Sequence, residues 1–211
     1  MDIAFLLYDN MTPLDFIGPY QVLALVPNAR IHLVATEAGL VRTDSGMRMY
    51  AEKKLEEVSR ADILVVPGSK DPSKTMANAR VLEWLRAVDA STRWTVSVCT
   101  GSLILGAAGL LQGKRATTHW MMLDQLRDFG ATPVSERIVF DGKRVASAGV
   151  SAGIDMALAL VGKEFGVPTA QAIQLAIEYD PEPPFQAGSP RVAPPEVVQA
   201  VRAMIEQDVR A

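Results

Sequence analysis

The chain has 211 residues, 49% hydrophobic and 21% charged, with a formal net charge of −3. That balance describes a globular protein with one large core, and because its 21 basic residues are spread out rather than clustered, no footprint for nucleic acid or an anionic membrane appears. One cysteine, Cys99, rules out an intrachain disulfide, and no Cys/His spacing involving His32 or His119 suits zinc, so no metal is expected. The N-terminal "MDIAFLLYDN" lacks a basic flank, and the longest apolar stretch, near residue 103, is broken by glycines and too short for a bilayer. The expectation is a cytoplasmic protein forming a single domain over residues 1–211.

Taken in order, nearly all-apolar runs alternate with helical ones. "IAFLLY", "RIHLVAT", "DILVVPG" and "WTVSVC" are candidate strands of the kind covered on both faces. Between them "TPLDFIGPYQVLAL" and "ARVLEWLRAVDAST" carry apolar residues at helical spacing. Strand alternating with helix predicts an α/β fold, a mostly parallel sheet with helices on both faces. Turn chemistry at Asp44-Ser45-Gly46 and at Asp141-Gly142 adds two β-hairpins, expected outside the parallel core. Two long helices follow, "SAGIDMALALVGKEFG" and "PTAQAIQLAIEY". The Pro-rich "DPEPPFQAGSPRVAPP" comes next, and an amphipathic helix runs from about Glu196 to the end.

The stretch "WTVSVCTGSLILGAAGLL" places Cys99 where a strand gives way to a helix. Ligands of open α/β sheets bind at the carboxyl ends of the strands, which is where Cys99 falls. Gly101 and Ser102 leave room for a sharp turn like a nucleophile elbow, and a helix N-terminus would lower the thiol pKa. A free cysteine is also a common buried packing residue, but one chosen only to fill space has no reason to sit at the turn. Cys99 is therefore read as a nucleophile with a depressed pKa. Its candidate proton partner is Asp15, after the first strand. Thr12-Pro13-Leu14-Asp15 also reads as a helix start, with Thr as N-cap, and spacing alone favours the capping role for Asp15.

"SVCTGSLILGAAGLLQGKRATTHW", with "PLDFIGP" upstream and "EYDPEPPFQAGSP" near the end, closely resembles the isonitrile (isocyanide) hydratases of the PfpI-like, class I glutamine amidotransferase-like superfamily, over almost the whole chain. The resemblance implies a flavodoxin-like sandwich, a homodimer, Cys99 as nucleophile and Asp15 beside it. Thr100 fits the hydratase pattern, where protease-like relatives place His directly after the cysteine. The implied reaction needs no cofactor: the thiol adds to the isocyanide carbon, Asp15 handles the proton, and water releases an N-substituted formamide.

The same resemblance marks a substrate side. Gly68 and Ser69 occupy the place of a Gly-Gly pair that offers backbone N–H groups; Ser69 departs from it and would be strained if that position needs φ > 0. His119 matches the region from which amidotransferases draw a triad His, but the hydratase pattern implies a supporting role, alongside Trp120. Met121 and Met122 are either pocket or core. Val150, in "SAGVSAGID", is placed near the elbow, and the "PEPPFQAGSP" loop is expected to close the pocket or a dimer edge. His32 reads as an ordinary outward or partner-facing strand residue. The alternatives are a ligand-sensing domain like those of AraC-type regulators, or another PfpI-like hydrolase or glyoxalase-type activity.

Overall fold

The computed structural model describes residues 1–210; Ala211, the end of the expected last helix, lies outside them. The chain opens with β1 (Asp2–Leu6), buried from Ile3 onward. Helix α1 (Pro13–Leu23) starts at Pro13, whose fixed φ suits a first helical position and whose missing N–H has no partner to lose there. Next come β2 (Arg30–Ala35), the hairpin β3 (Gly39–Arg42) and β4 (Arg48–Ala51), and the short β5 (Lys53–Lys54). β6 (Ile63–Val66) is wholly buried and leads to α2 (Ser73–Met76) and α3 (Ala79–Asp89). The Asn78 side chain caps α3 by accepting from the Val81 N–H, and the helix turns Val81, Trp84, Leu85 and Val88 inward.

β7 (Trp94–Val98) delivers the chain to α4 (Gly101–Ala107). Every residue of α4 up to Gly106 is buried, as expected of a helix that is apolar all round. Then β8 (Arg115–Ala116), a 3-10 segment from Trp120 to Phe129 and β9 (Thr132–Pro133) lead to the hairpin β10 (Ile138–Asp141) and β11 (Arg144–Ser147). The helices α5 (Ala152–Phe165), α6 (Val167–Ala176) and α7 (Pro195–Arg210) complete the described chain.

Seven strands form the main sheet in the order β10-β11-β7-β6-β1-β2-β5, parallel throughout except where β10 meets β11. The second hairpin is thus not outside the parallel core: β11 pairs parallel with β7, Val145 opposite Val96 and Ser147 opposite Val98. Period-2 patterning identifies a hairpin but not the neighbour its second strand selects. Only β3–β4 stands as a separate hairpin, and β8–β9 form a small parallel pair. Helices flank the sheet: α1 packs on α5 and α5 on α6, while α4 packs against β6, β7 and α3. Ile3, Phe5, Leu6, Ile63, Leu64 and Ile104 are among the fully buried side chains. Each contributes on the order of 1.5–3 kcal/mol relative to exposure. At the amino end of β7, Asp89 accepts hydrogen bonds from the Arg144 guanidinium and the Thr95 hydroxyl, tying α3 to β7 and β11 far from the carboxyl edge.

Candidate active site

Four strands adjacent in the sheet, β11, β7, β6 and β1, end side by side, and the segment after each supplies one part of the site. After β7, Cys99 takes φ +55, a left-handed conformation that costs a non-glycine residue energy and persists only when its surroundings impose it. Those surroundings are visible. The Cys99 N–H donates to the carbonyls of Ser147 and Ala148 (both 3.2 Å), and the Cys99 carbonyl accepts from the hydroxyls of Thr118 (3.0 Å) and Ser102 (3.2 Å). Two residues on, a Cβ at Gly101 would lie 2.1 Å from the Val66 carbonyl oxygen, so the first turn of α4 can press against the end of β6 only with glycine there.

After β1, Asp15 is fully buried in the first turn of α1. It is not a cap. Thr12, the N-cap residue, makes no side-chain cap bond and donates its hydroxyl to Asp44 (2.7 Å), while Asp15 Oδ2 accepts the Gly68 N–H (3.0 Å) from the loop after β6. A residue one turn into a helix has its side chain free to reach a neighbouring strand end, and here tertiary packing overrides the capping signal. Oδ1 is buried without a hydrogen-bond partner, and the Cys99 thiol neighbours the carboxyl. Burial pushes Asp15 up to about 7, against the downward pull of the Gly68 N–H and of the thiol.

The thiol does not have the lowered pKa expected from its place before a helix. Only 5% of Cys99 is exposed, and burial, reinforced by the Asp15 charge, pushes the thiol well above its ordinary range. The N–H groups of Val150 and Thr100 favour the thiolate but do not offset that burial. The two acids are therefore coupled: the Asp15 charge makes the thiol harder to ionise. Val150, after β11, also has positive φ (+33), unusual for a β-branched residue, and its strained backbone aims the N–H at sulfur.

Thr100 is locked rather than free: its hydroxyl donates to the Ser69 carbonyl (2.6 Å) and accepts from the Ser69 N–H (2.8 Å). Ser69 itself carries no positive φ, so the expected strain is absent. A Cβ on Gly68 would lie 2.5 Å from the Thr100 nitrogen and 2.9 Å from Asp15 Oδ2, which shows how closely these three pack. Both N–H groups of the 68–69 pair are thus engaged by protein, one by Asp15 and one by Thr100.

A cavity of about 340 Å³ opens beside this centre. Thr118 and Val150, both in hydrogen-bonding relation to Cys99, line it, as do His119, Trp120 and residues 188–191 of the Pro-rich loop. Gly68 and Ser69 do not line it, and of the two methionines neither does. Burial holds His119 below the usual imidazole range, and its Nδ1 accepts the Met121 N–H (3.4 Å), capping the 3-10 segment. Trp120 lies against His119 and beneath the guanidinium of Arg202, 4.7 Å from the ring centre, so α7 is tied to the cavity wall. His32 is elsewhere, bridging Asp2 (2.8 Å) and Lys53 (2.9 Å) on the sheet. Sequence reasoning missed Thr118, Arg137 and Arg191; a threonine in "ATTHW" or an arginine after a proline carries no pattern that distinguishes it from surface residues.

The pattern of the DJ-1/PfpI family matches residues 1–163. An isonitrile hydratase of Pseudomonas putida is 45% identical over 96% of this chain and 89% of its own length. The HTH-type transcriptional regulator CdhR of Pseudomonas aeruginosa is 30% identical over 78% of this chain, which spans about half (51%) of that protein. Among solved structures, a ThiJ/PfpI family protein from Pseudomonas syringae superposes with a TM-score of 0.95 at 37% identity, covering 98% of this chain and 86% of that one. Drosophila melanogaster DJ-1beta shares the fold alone, with a TM-score of 0.75 at 18% identity. With a cysteine elbow at the carboxyl edge of a parallel sheet, and with similarity that runs through the strands building it, the chain belongs to the DJ-1/PfpI family.

Proposed function

We propose that this protein is an isonitrile hydratase, in which Cys99 and Asp15 convert an isocyanide and water to an N-substituted formamide. The observation that carries the reading is the buried pair: one thiol beside one carboxyl whose pKa is raised to about 7, with an oxygen left unbonded. Near-full-length similarity to a hydratase supports it, whereas the similarity to a regulator spans only half of that regulator.

An isocyanide carbon has a lone pair and accepts a nucleophile only if a proton arrives with it. Asp15, as carboxylate, takes the thiol proton as the Cys99 sulfur bonds to the terminal carbon, and returns that proton to the same carbon. The product is a thioimidate, R–N=CH–S–Cys99. Water then adds to its carbon while nitrogen gains a proton, and collapse of the tetrahedral adduct breaks the C–S bond. R–NH–CHO leaves and Cys99 regains its proton. The N–H groups of Val150 and Thr100 steady sulfur while it carries charge. Thr100, Gly68 and Ser69 act through position: Gly68 orients Asp15, and the Thr100–Ser69 pair holds the elbow. His119, Trp120 and Val150 face the substrate from the cavity.

The assembly proposed with this function is a homodimer, and an unpaired nucleophilic cysteine suits a reducing compartment such as the cytoplasm. Hydration of small alkyl and aryl isocyanides, followed by formamide release, tests the reading. Cys99→Ala should abolish turnover, and Asp15→Asn should lower it by ~10²-fold or more. Wild-type protein inert toward every isocyanide tried would overturn the assignment and favour ligand sensing.

A further inference from the structure

The cavity beside Cys99 is not electrically neutral. Its charged lining residues are Glu136, Arg137 and Arg191. Glu136 is turned to Arg115 (3.4 Å), and Arg137 is paired with Asp155. Asp155 in turn accepts the Tyr179 hydroxyl (2.9 Å) and so is doubly engaged. Burial disfavours the charged form of His119. Arg191 remains, on the loop segment 188–191, and no described residue pairs with its guanidinium. The N-terminus of α5, a helix of 14 residues, also meets this cavity through Val150 and Ser151, adding a second positive feature on the same wall.

The apolar part of the lining, Trp120, Leu123, Val150 and Pro190, can take an aryl or alkyl body. Cys99 is not itself among the residues that line the cavity, so a substrate seated there has to reach sulfur with its reactive end at the Val150–Thr118 wall, whose residues hydrogen-bond to Cys99. Any negative group it carries has to stay away from that end, because Asp15 already brings negative charge to the thiol. The Arg191 guanidinium, exposed and paired by no described residue, lies elsewhere on the cavity lining and meets that requirement, and its planar fork matches a carboxylate.

Resting on the isonitrile hydratase reading, we propose that the preferred substrates are isocyanides bearing a carboxylate, and that Arg191 is the specificity-determining residue that binds it. The test compares 4-isocyanobenzoate with phenyl isocyanide in wild-type protein, Arg191→Gln and Arg191→Lys. The kcat/KM ratio of the charged to the neutral substrate should exceed one in the wild type, fall by ~10-fold in Arg191→Gln and be only partly restored in Arg191→Lys, which keeps the charge but not the fork. An equal ratio in wild type and Arg191→Gln overturns the proposal.

A second readout does not depend on turnover. Cys99 is the only cysteine, so its alkylation by iodoacetate and by iodoacetamide reports access of an anionic and a neutral probe to the same sulfur. The iodoacetate-to-iodoacetamide rate ratio should fall in Arg191→Gln. If no isocyanide is turned over but this ratio falls, the hydratase reading fails and anion recognition by Arg191 stands. If the ratio is unchanged, recognition by Arg191 fails whatever the turnover.

Discussion

A thiol at the start of a helix is ordinarily expected to be acidic, and at Cys99 two N–H donors act in that direction. Burial and the neighbouring carboxyl act against them and prevail. Removing the Asp15 charge should therefore make the thiol more acidic: thiolate absorbance of Asp15→Asn should titrate at lower pH than that of the wild type, and an unchanged titration would show that the two groups are not coupled. For catalysis the useful state is the pair with one proton, so kcat/KM should rise with pH through about 7 and then level off, a limb absent from Asp15→Asn. Stability moves the other way. The folded pKa of Asp15, about 7, lies above its usual 3.8, so its contribution is whole below about 3.8 and is lost as pH rises through 7. Thermal melts should accordingly show Asp15→Asn gaining on the wild type between pH 4 and pH 8, by the equivalent of a few kcal/mol. A difference constant across that range would mean the carboxyl is not buried as described.

Among elements, the contact that shapes the site is α4 against the end of β6. Because a Cβ at Gly101 would strike the Val66 carbonyl oxygen at 2.1 Å, a backbone atom that cannot swing aside, Gly101→Ala has to push the helix off the strand. The expected cost is ~3 kcal/mol or more. At this chain length that lowers Tm by roughly 6–12 °C. Gly142, in the β10–β11 turn, is the comparison: its φ of +60 disfavours alanine, yet nothing lies closer to a Cβ there than the Lys114 amine at 4.0 Å. Gly142→Ala should cost about 1 kcal/mol and leave the elbow alone. Equal losses in the two variants would argue against the close α4–β6 packing.

For the whole molecule, several large apolar side chains remain exposed. Leu175, Phe185 and Leu40 are 80%, 78% and 71% exposed, on α6, the Pro-rich loop and the β3–β4 hairpin. Single exposed leucines are common, and three large exposed side chains on three segments outside the main sheet are the places where the proposed second copy would pack. Light scattering over a dilution series should give twice the mass of one chain. A single-chain mass at every concentration would remove the homodimer.

The alternation of apolar runs and helical periods by itself determined the mostly parallel α/β sheet and the three late helices, because burial on two faces leaves a local mark at every strand position, and the turn residues at 44–46 and 141–142 marked the two hairpins but not where the second one pairs. It also placed Cys99 at the carboxyl edge, since the strand-to-helix change is visible in "VSVCTGS". What required the tertiary structure was everything that depends on neighbours distant in sequence. β11 joined β7, Asp15 turned from its own helix end to the Gly68 N–H, and Thr100 closed on the Ser69 backbone. The direction of the Cys99 pKa belongs with these, because a helix start is written in a few adjacent residues, whereas burial and the charge of Asp15 exist only once segments 84 positions apart have packed together.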